Sequence, residues 1–193
     1  MRRCKLCLEP DTRPDCVFDE EGICYPCRYH ATFDDIDWDG RRKELDAIAD
    51  WGRKHSNLGY DCMIGVSGGK DSHRQALFAR DELGLNPLLV SCTYPPEQQT
   101  ERGAKNLANM SKIGFDVIAV RPAPQTWRDL MRMGILKFGN MFKSTELALY
   151  SCVPKMAVAY HIPLIFLGEN PALSWGSAGG SFDGNANRMK YNN

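Results

Sequence analysis

One stretch limits what this chain can fold into more than any other. Residues 60–66, ending Ile64-Gly65-Val66, form a short apolar run that leads into Ser67-Gly68-Gly69-Lys70-Asp71-Ser72, and an amphipathic pattern follows over 70–83. An apolar run of strand length, a glycine pair and then a helical period make a buried strand, a tight turn and a helix. Where such strand–helix units alternate along a chain they imply a parallel sheet with helices on both faces. The loop itself departs from the common phosphate loop. Gly65 and Gly69 stand one residue closer than G-x-x-x-x-G-K-[ST] requires, and Asp71 separates Lys70 from Ser72.

The further units are present. Strands are expected at 87–93, 115–120 and 164–167, the last ending in Gly168-Glu169-Asn170. Helices are expected at 100–113, with Ala104, Leu107, Ala108 and Ser111 on one face and Gly114 as the stop. Others are expected from a capping box at Thr126-Trp127-Arg128-Asp129 to about Phe138, and over 144–160, bent or broken near Pro154. A helix from Asp39, capped by Asp37 or Asp39, turns Trp38, Leu45, Ile48, Ala49 and Gly52 to one side. Asp34, Asp35, Asp37 and Asp39 read as a solvated, helix-capping run rather than a metal cluster. The fold class is α/β, a parallel sheet with helices on both faces. Ligands in such sheets bind beyond the carboxyl ends of the strands, where the loops 67–72, 92–98 and 168–175 gather.

Residues 1–30 are of another kind. They hold five of the eight cysteines and little apolar pattern. Cys4-x2-Cys7 and Cys24-x2-Cys27, sixteen residues apart, have the spacing of a structural four-thiolate zinc site, with a rubredoxin-like iron site as the alternative. Cys16 is a spare thiol. The organisation expected is a zinc ribbon over 1–30, a linker helix over 31–58 and a nucleotide-binding domain over 59–193. The Gly-, Ser- and Asn-rich stretch 174–193 suggests a truncated C-terminus. Lys+Arg and Asp+Glu balance at 24 each, which disfavours a general nucleic-acid binder. No apolar stretch reaches membrane-spanning length and no apolar signal core follows Met1-Arg2-Arg3, so a cytoplasmic location without membrane insertion is expected.

A strand feeding a glycine pair and a helix surrounds an anion with backbone N–H groups, and the helix dipole adds positive potential. Lys70 adds charge and Ser67 and Ser72 add hydroxyls. Asp71 would repel phosphate unless it faces magnesium or caps the helix. The loop resembles the pyrophosphate loop of the N-type ATP pyrophosphatases, which include GMP, asparagine and NAD synthetases and tRNA thiolation enzymes. That resemblance implies an adenine-nucleotide alpha-hydrolase-like fold and cleavage of ATP between the α- and β-phosphates. A longer resemblance runs through Cys4-x2-Cys7, Pro10-Asp11-Thr12-Arg13-Pro14, Phe18-Asp19-Glu20-Glu21-Gly22-Ile23-Cys24, Cys27, Tyr60-Asp61-Cys62, Val66 to His73, Asn86 to Val90, and Ile162-Pro163-Leu164 with Gly168-Glu169-Asn170. It is to the N-acetyl sugar amidotransferases of bacterial surface-polysaccharide (lipopolysaccharide, O-antigen) synthesis.

This second resemblance implies conversion of an acetamido group to an acetamidino group with release of AMP and pyrophosphate. Ser67, Gly68, Gly69, Lys70 and Ser72 would hold pyrophosphate, and Asp71 would serve magnesium. The backbone at Ser91, Cys92 and Thr93 would meet adenine or ribose. Gly168, Glu169 and Asn170 would face the reacting amide, Glu169 orienting ammonia or taking its proton. The substrate would be a nucleotide- or lipid-linked N-acetyl sugar. His30, His55, His73 and His161 stand in no glutaminase setting, and Cys62, Cys92 and Cys152 read as core thiols. A separate glutaminase subunit is therefore implied, and the resemblance implies a cyclase-like companion for it. Two other readings stay open: a tRNA thiolation enzyme using Cys92 or Cys152, and a non-catalytic nucleotide-binding scaffold.

Overall fold

The computed structural model describes residues 1–12, 16–56 and 58–168. Within them the chain forms two units, Met1–Arg41 and Arg42–Gly168.

The first unit is built from turns. Isolated antiparallel bridges join Arg3 to Pro10 and Phe18 to Cys24. The Asp19 carboxylate accepts the Ile23 N–H at 2.8 Å, and Gly22, at φ +82°, closes that turn. Helix α1 (Tyr25–Ala31) follows Cys24 directly, with Pro26 in its first turn, where a missing N–H costs nothing.

In the second unit β1 (Cys62–Gly65), β2 (Pro87–Cys92), β3 (Val117–Val120) and β4 (Ile165–Phe166) form one parallel sheet in the order β3-β2-β1-β4. The register explains the apolar runs. Ile64, Leu89, Val117 and Phe166 lie in one row and point to one face. Their neighbours Met63, Leu88, Val90, Ile118 and Ile165 point to the other. The first face is covered by α2 (Trp38–His55) through Ala49, by α3 (Lys70–Leu77) through Ala76, and by α4 (Glu101–Lys112) through Met110. The second is covered by α6 (Lys143–Ala159) through Cys152 and Ala157. The parallel sheet with helices on both faces is therefore as expected. α5 (Pro124–Phe138) forms a hairpin with α6.

Local expectations needed correction where tertiary packing outweighed pattern. In α2, Ala49 and Gly52 are buried, but Trp38 and Ile48 are exposed. Asp37 caps this helix, its carboxylate accepting the Gly40 N–H at 2.9 Å. α3 ends at Leu77 and passes into a π turn, Phe78–Glu82. The inward face of α4 is Leu107 and Met110, while Ala104, Ala108 and Ser111 are exposed, because the larger side chains bury more apolar area. Thr126 does not cap α5. That helix starts two residues earlier, where Pro124 supplies a preset φ, and it ends at Gly139 in the left-handed conformation. α6 runs on through Pro154 without ending there.

Candidate functional site

From β1 the chain adds β2 and then β3 on one side before returning to place β4 on the other. The strand order therefore reverses between β1 and β4, and the crevice beyond their carboxyl ends is where open α/β sheets bind ligands. The glycine loop leaves β1 at that point and opens α3, whose N-cap is Gly69.

The two glycines do different work. Gly68 has φ +79°, and a Cβ there would lie 2.8 Å from the Leu107 N and 2.9 Å from the Asn106 carbonyl carbon of α4. Gly68 is thus a point where the loop rests on α4. Gly69 has no such crowding: its Cβ would meet only the Ser67 Oγ at 3.3 Å. The Gly69 N–H donates to Ser67 Oγ at 3.2 Å, so this serine shapes the turn. The Gly69 carbonyl accepts from the Ser72 hydroxyl at 3.0 Å, from the His73 N–H at 3.1 Å and from the His73 ring at Nδ1, 3.0 Å away.

His73 is the site residue that sequence reasoning missed. The Asn109 amide nitrogen lies 3.3 Å from its Nε2. An amide nitrogen only donates, which makes Nε2 the acceptor and leaves the proton on Nδ1 for the Gly69 carbonyl. His73 therefore ties the glycine loop to α4. Its position four residues beyond Gly69, on the first turn, and its place at the end of the stretch Val66 to His73 are the signals the sequence carries.

Lys70 and Asp71 project into solvent, their side chains 88% and 89% exposed, and pair with each other at 2.7 Å. An ion pair this exposed is worth little and is readily exchanged for other partners. Ser91 and Thr93 are buried at the end of β2. The Thr93 N–H donates to the Val120 carbonyl at 2.9 Å, and Arg121 Nε donates to its hydroxyl at 3.1 Å. The Thr93 amide is thus already used by β3. The following loop is held by Arg121 on Gln99 and by Trp127 Nε1 on Gln98 Oε1 at 3.0 Å, with Tyr94 edge-on to Trp127.

Cys62 is fully buried, and burial pushes its thiol up to about 12. Cys92 and Cys152 share a hydrogen bond between β2 and α6, and burial pushes Cys92 up to about 11. Gly168 follows β4, and the Leu167 carbonyl before it accepts from Gln75 of α3 at 2.9 Å. Glu169 and Asn170 lie outside the described residues.

In the first unit Cys4, Cys7, Cys24 and Cys27 place their sulfurs within 4.8 Å of one another. Cys7 and Cys24 are 3.5 Å apart and Cys4 and Cys27 3.9 Å. Four sulfurs about 2.3 Å from a zinc ion at tetrahedral angles stand about 3.8 Å apart, so the set fits. Burial alone would raise the Cys4 thiol, but hydrogen bonds from backbone amides, that of Cys7 foremost, bring it down to about 6. Burial raises Cys24 and Cys27. Four crowded thiols cannot all ionise without a cation among them.

No protein-family model matches this chain. No curated protein matches it. Among solved structures, the NH3-dependent NAD synthetase from Campylobacter jejuni, in complex with the nitrate ion, is similar with a TM-score of 0.49 and 16% identity. The match covers 75% of this chain and 63% of that one, so the chain spans less than two-thirds of that protein's length.

Proposed function

We propose that this chain is an ATP-dependent amidotransferase of the ATP-pyrophosphatase type. It would adenylate the acetamido oxygen of an N-acetyl sugar and replace that oxygen with ammonia-derived nitrogen. The observation that carries this reading is the placement of Ser67-Gly68-Gly69-Lys70-Asp71-Ser72 at the point where the strand order reverses, opening a helix with an exposed cation and carboxylate. The sugar acceptor rests on the resemblance of the sequence motifs.

An amide carbonyl is a poor electrophile toward ammonia. Attack of its oxygen on the α-phosphorus of ATP expels pyrophosphate and leaves an imidate-type carbon bearing AMP. Ammonia adds there, AMP departs with the former amide oxygen, and the acetamidino group remains. Lys70 and the N-terminal amides of α3 would stabilise the departing pyrophosphate. Asp71, released from Lys70, would hold magnesium. Ser72 and His73 fix the Gly69 carbonyl and so keep those amides aimed outward. Glu169 and Asn170 would serve the ammonia step. The cysteine site would hold a structural zinc, and ammonia would come from a separate glutaminase subunit with a cyclase-like companion. The thiolation reading needs a reactive thiol at this edge, and the burial that raises Cys92 and Cys152 argues against it.

The test is an isotope experiment. With ammonia, ATP and an N-acetyl sugar nucleotide carrying oxygen-18 in the acetamido carbonyl, the label should appear in AMP. Label retained in the sugar, or ADP as the only nucleotide product, overturns the reaction. Nucleotide binding without turnover promotes the scaffold reading.

A further inference from the structure

The α5–α6 hairpin carries a surface that the proposed reaction does not use. All eight residues 135–142 are exposed, and five of them are Ile135, Leu136, Phe138, Met141 and Phe142. Leu136 is 73% exposed, and Ile135, Phe138 and Phe142 are each more than half exposed. The tip is built rather than loose. Gly139 turns the chain at φ +65°, and Gly134 is buried so close to the returning chain that a Cβ would lie 2.6 Å from the Asn140 carbonyl oxygen. A turn held this tightly presents its apolar side chains outward by construction.

Charge distinguishes this tip from an ordinary exposed patch. Over 124–146 the cations are Arg128, Arg132, Lys137 and Lys143, against the acids Asp129 and Glu146, in a chain whose net charge is zero. Lys143 lies 5.9 Å from the centre of the Phe138 ring, so cation and apolar group share one surface. The position of the tip also matters. Cys152 meets Cys92 at the carboxyl end of β2, so the nine residues of α6 before it extend about 13 Å past that end. The hairpin therefore overhangs the edge of the sheet that bears the glycine loop. Phe142 itself lines a cavity of about 130 Å³ with Tyr94, Thr145, Glu146 and Leu149 on that side.

We propose that this tip is an interfacial anchor that seats the carboxyl edge of the sheet on an anionic lipid surface. Large apolar side chains flanked by lysine and arginine suit the headgroup boundary, where the rings and aliphatic chains sink and the cations reach phosphate. The hairpin also exposes Met133, Leu147, Leu149 and Tyr150, and it is the charge that selects the occupant: a second copy would bring the same cations against themselves, whereas an anionic surface complements them. Among the described residues no helix is long and apolar enough to cross a membrane, so the association is peripheral. This proposal does not rest on the reaction.

The test is flotation of the full chain with vesicles of phosphatidylcholine alone and of phosphatidylcholine with about one-third phosphatidylglycerol. Binding should be about tenfold or more tighter to the anionic vesicles and should weaken with salt. Leu136→Glu with Phe138→Glu should reduce it about tenfold or more, with far-ultraviolet circular dichroism unchanged. Lys137→Glu with Lys143→Glu should remove the preference for anionic vesicles. Absence of binding by the natural chain, or binding that survives the Leu136 and Phe138 changes, overturns the proposal. Self-association that the same changes abolish, without vesicle binding, overturns it in favour of a subunit contact.

Discussion

In Met1–Arg41 the fully buried side chains among the described residues are two cysteines, Cys4 and Cys24. In Arg42–Gly168 two apolar clusters fill both faces of a sheet. Ordering a residue costs about 1–2 kcal/mol of backbone entropy, and two thiols cannot offset that for the smaller unit. A metal held by the four thiolates would add about 10–16 kcal/mol of apparent free energy to that unit. The larger unit instead buries apolar side chains such as Ile64, Leu89, Met63 and Met110, which needs no ligand. The comparison teaches that one chain can combine a unit organised around four thiols that could hold a metal with a unit organised around an apolar core.

The largest effect expected comes from removing the metal. The protein as purified should carry one zinc per chain by elemental analysis. A strong chelator, or Cys24→Ser, should release it and cost Met1–Arg41 its protection from proteolysis. Arg42–Gly168 should stay resistant, and its loss in step with the zinc would erase the distinction between the two units.

Core truncation should act the other way round. Leu89→Ala and Met110→Ala should each cost about 2–5 kcal/mol in urea unfolding, with zinc content unchanged. Gly68→Ala belongs with them, because its φ and its contact with α4 both forbid a side chain. A loss of about 1–3 kcal/mol is expected. Gly69→Ala, with φ −75° and only the Ser67 hydroxyl near, should lose less than half as much.

A smaller effect separates fold from site within the larger unit. Lys70→Ala should leave the thermal midpoint unchanged, since this side chain is exposed. ATP affinity measured by calorimetry should fall about 10- to 100-fold, the worth of a charge-assisted hydrogen bond. Unchanged affinity would remove Lys70 from the site.

The smallest effect is a labelling pattern. At pH 8 Cys62, raised to about 12, and Cys92, raised to about 11, should resist alkylation. Cys7, exposed in the structure, should label quickly once the chelator is present and slowly before. Rapid labelling of Cys92 in the folded protein would restore the thiolation reading.

What the sequence by itself determined is what local order and spacing can encode. The paired C-x2-C knuckles required four sulfurs to converge, because each pair sits on one turn and a thiolate set has few other uses. The apolar run into Ser67-Gly68-Gly69 required a strand, a turn and a helix, because a glycine pair between a buried run and an amphipathic period permits little else. Only the tertiary structure decided the rest, because it depends on partners distant in sequence. The Thr93 amide is taken by Val120 and the Gly68 face by the α4 backbone. His73 acquires its tautomer from Asn109, thirty-six residues away. α5 presents Leu136 and Phe138 outward because Gly134 is used against the returning chain. Periodicity marks which residues are apolar. Which of them find a neighbour is settled only when the strand order β3-β2-β1-β4 sets which elements meet.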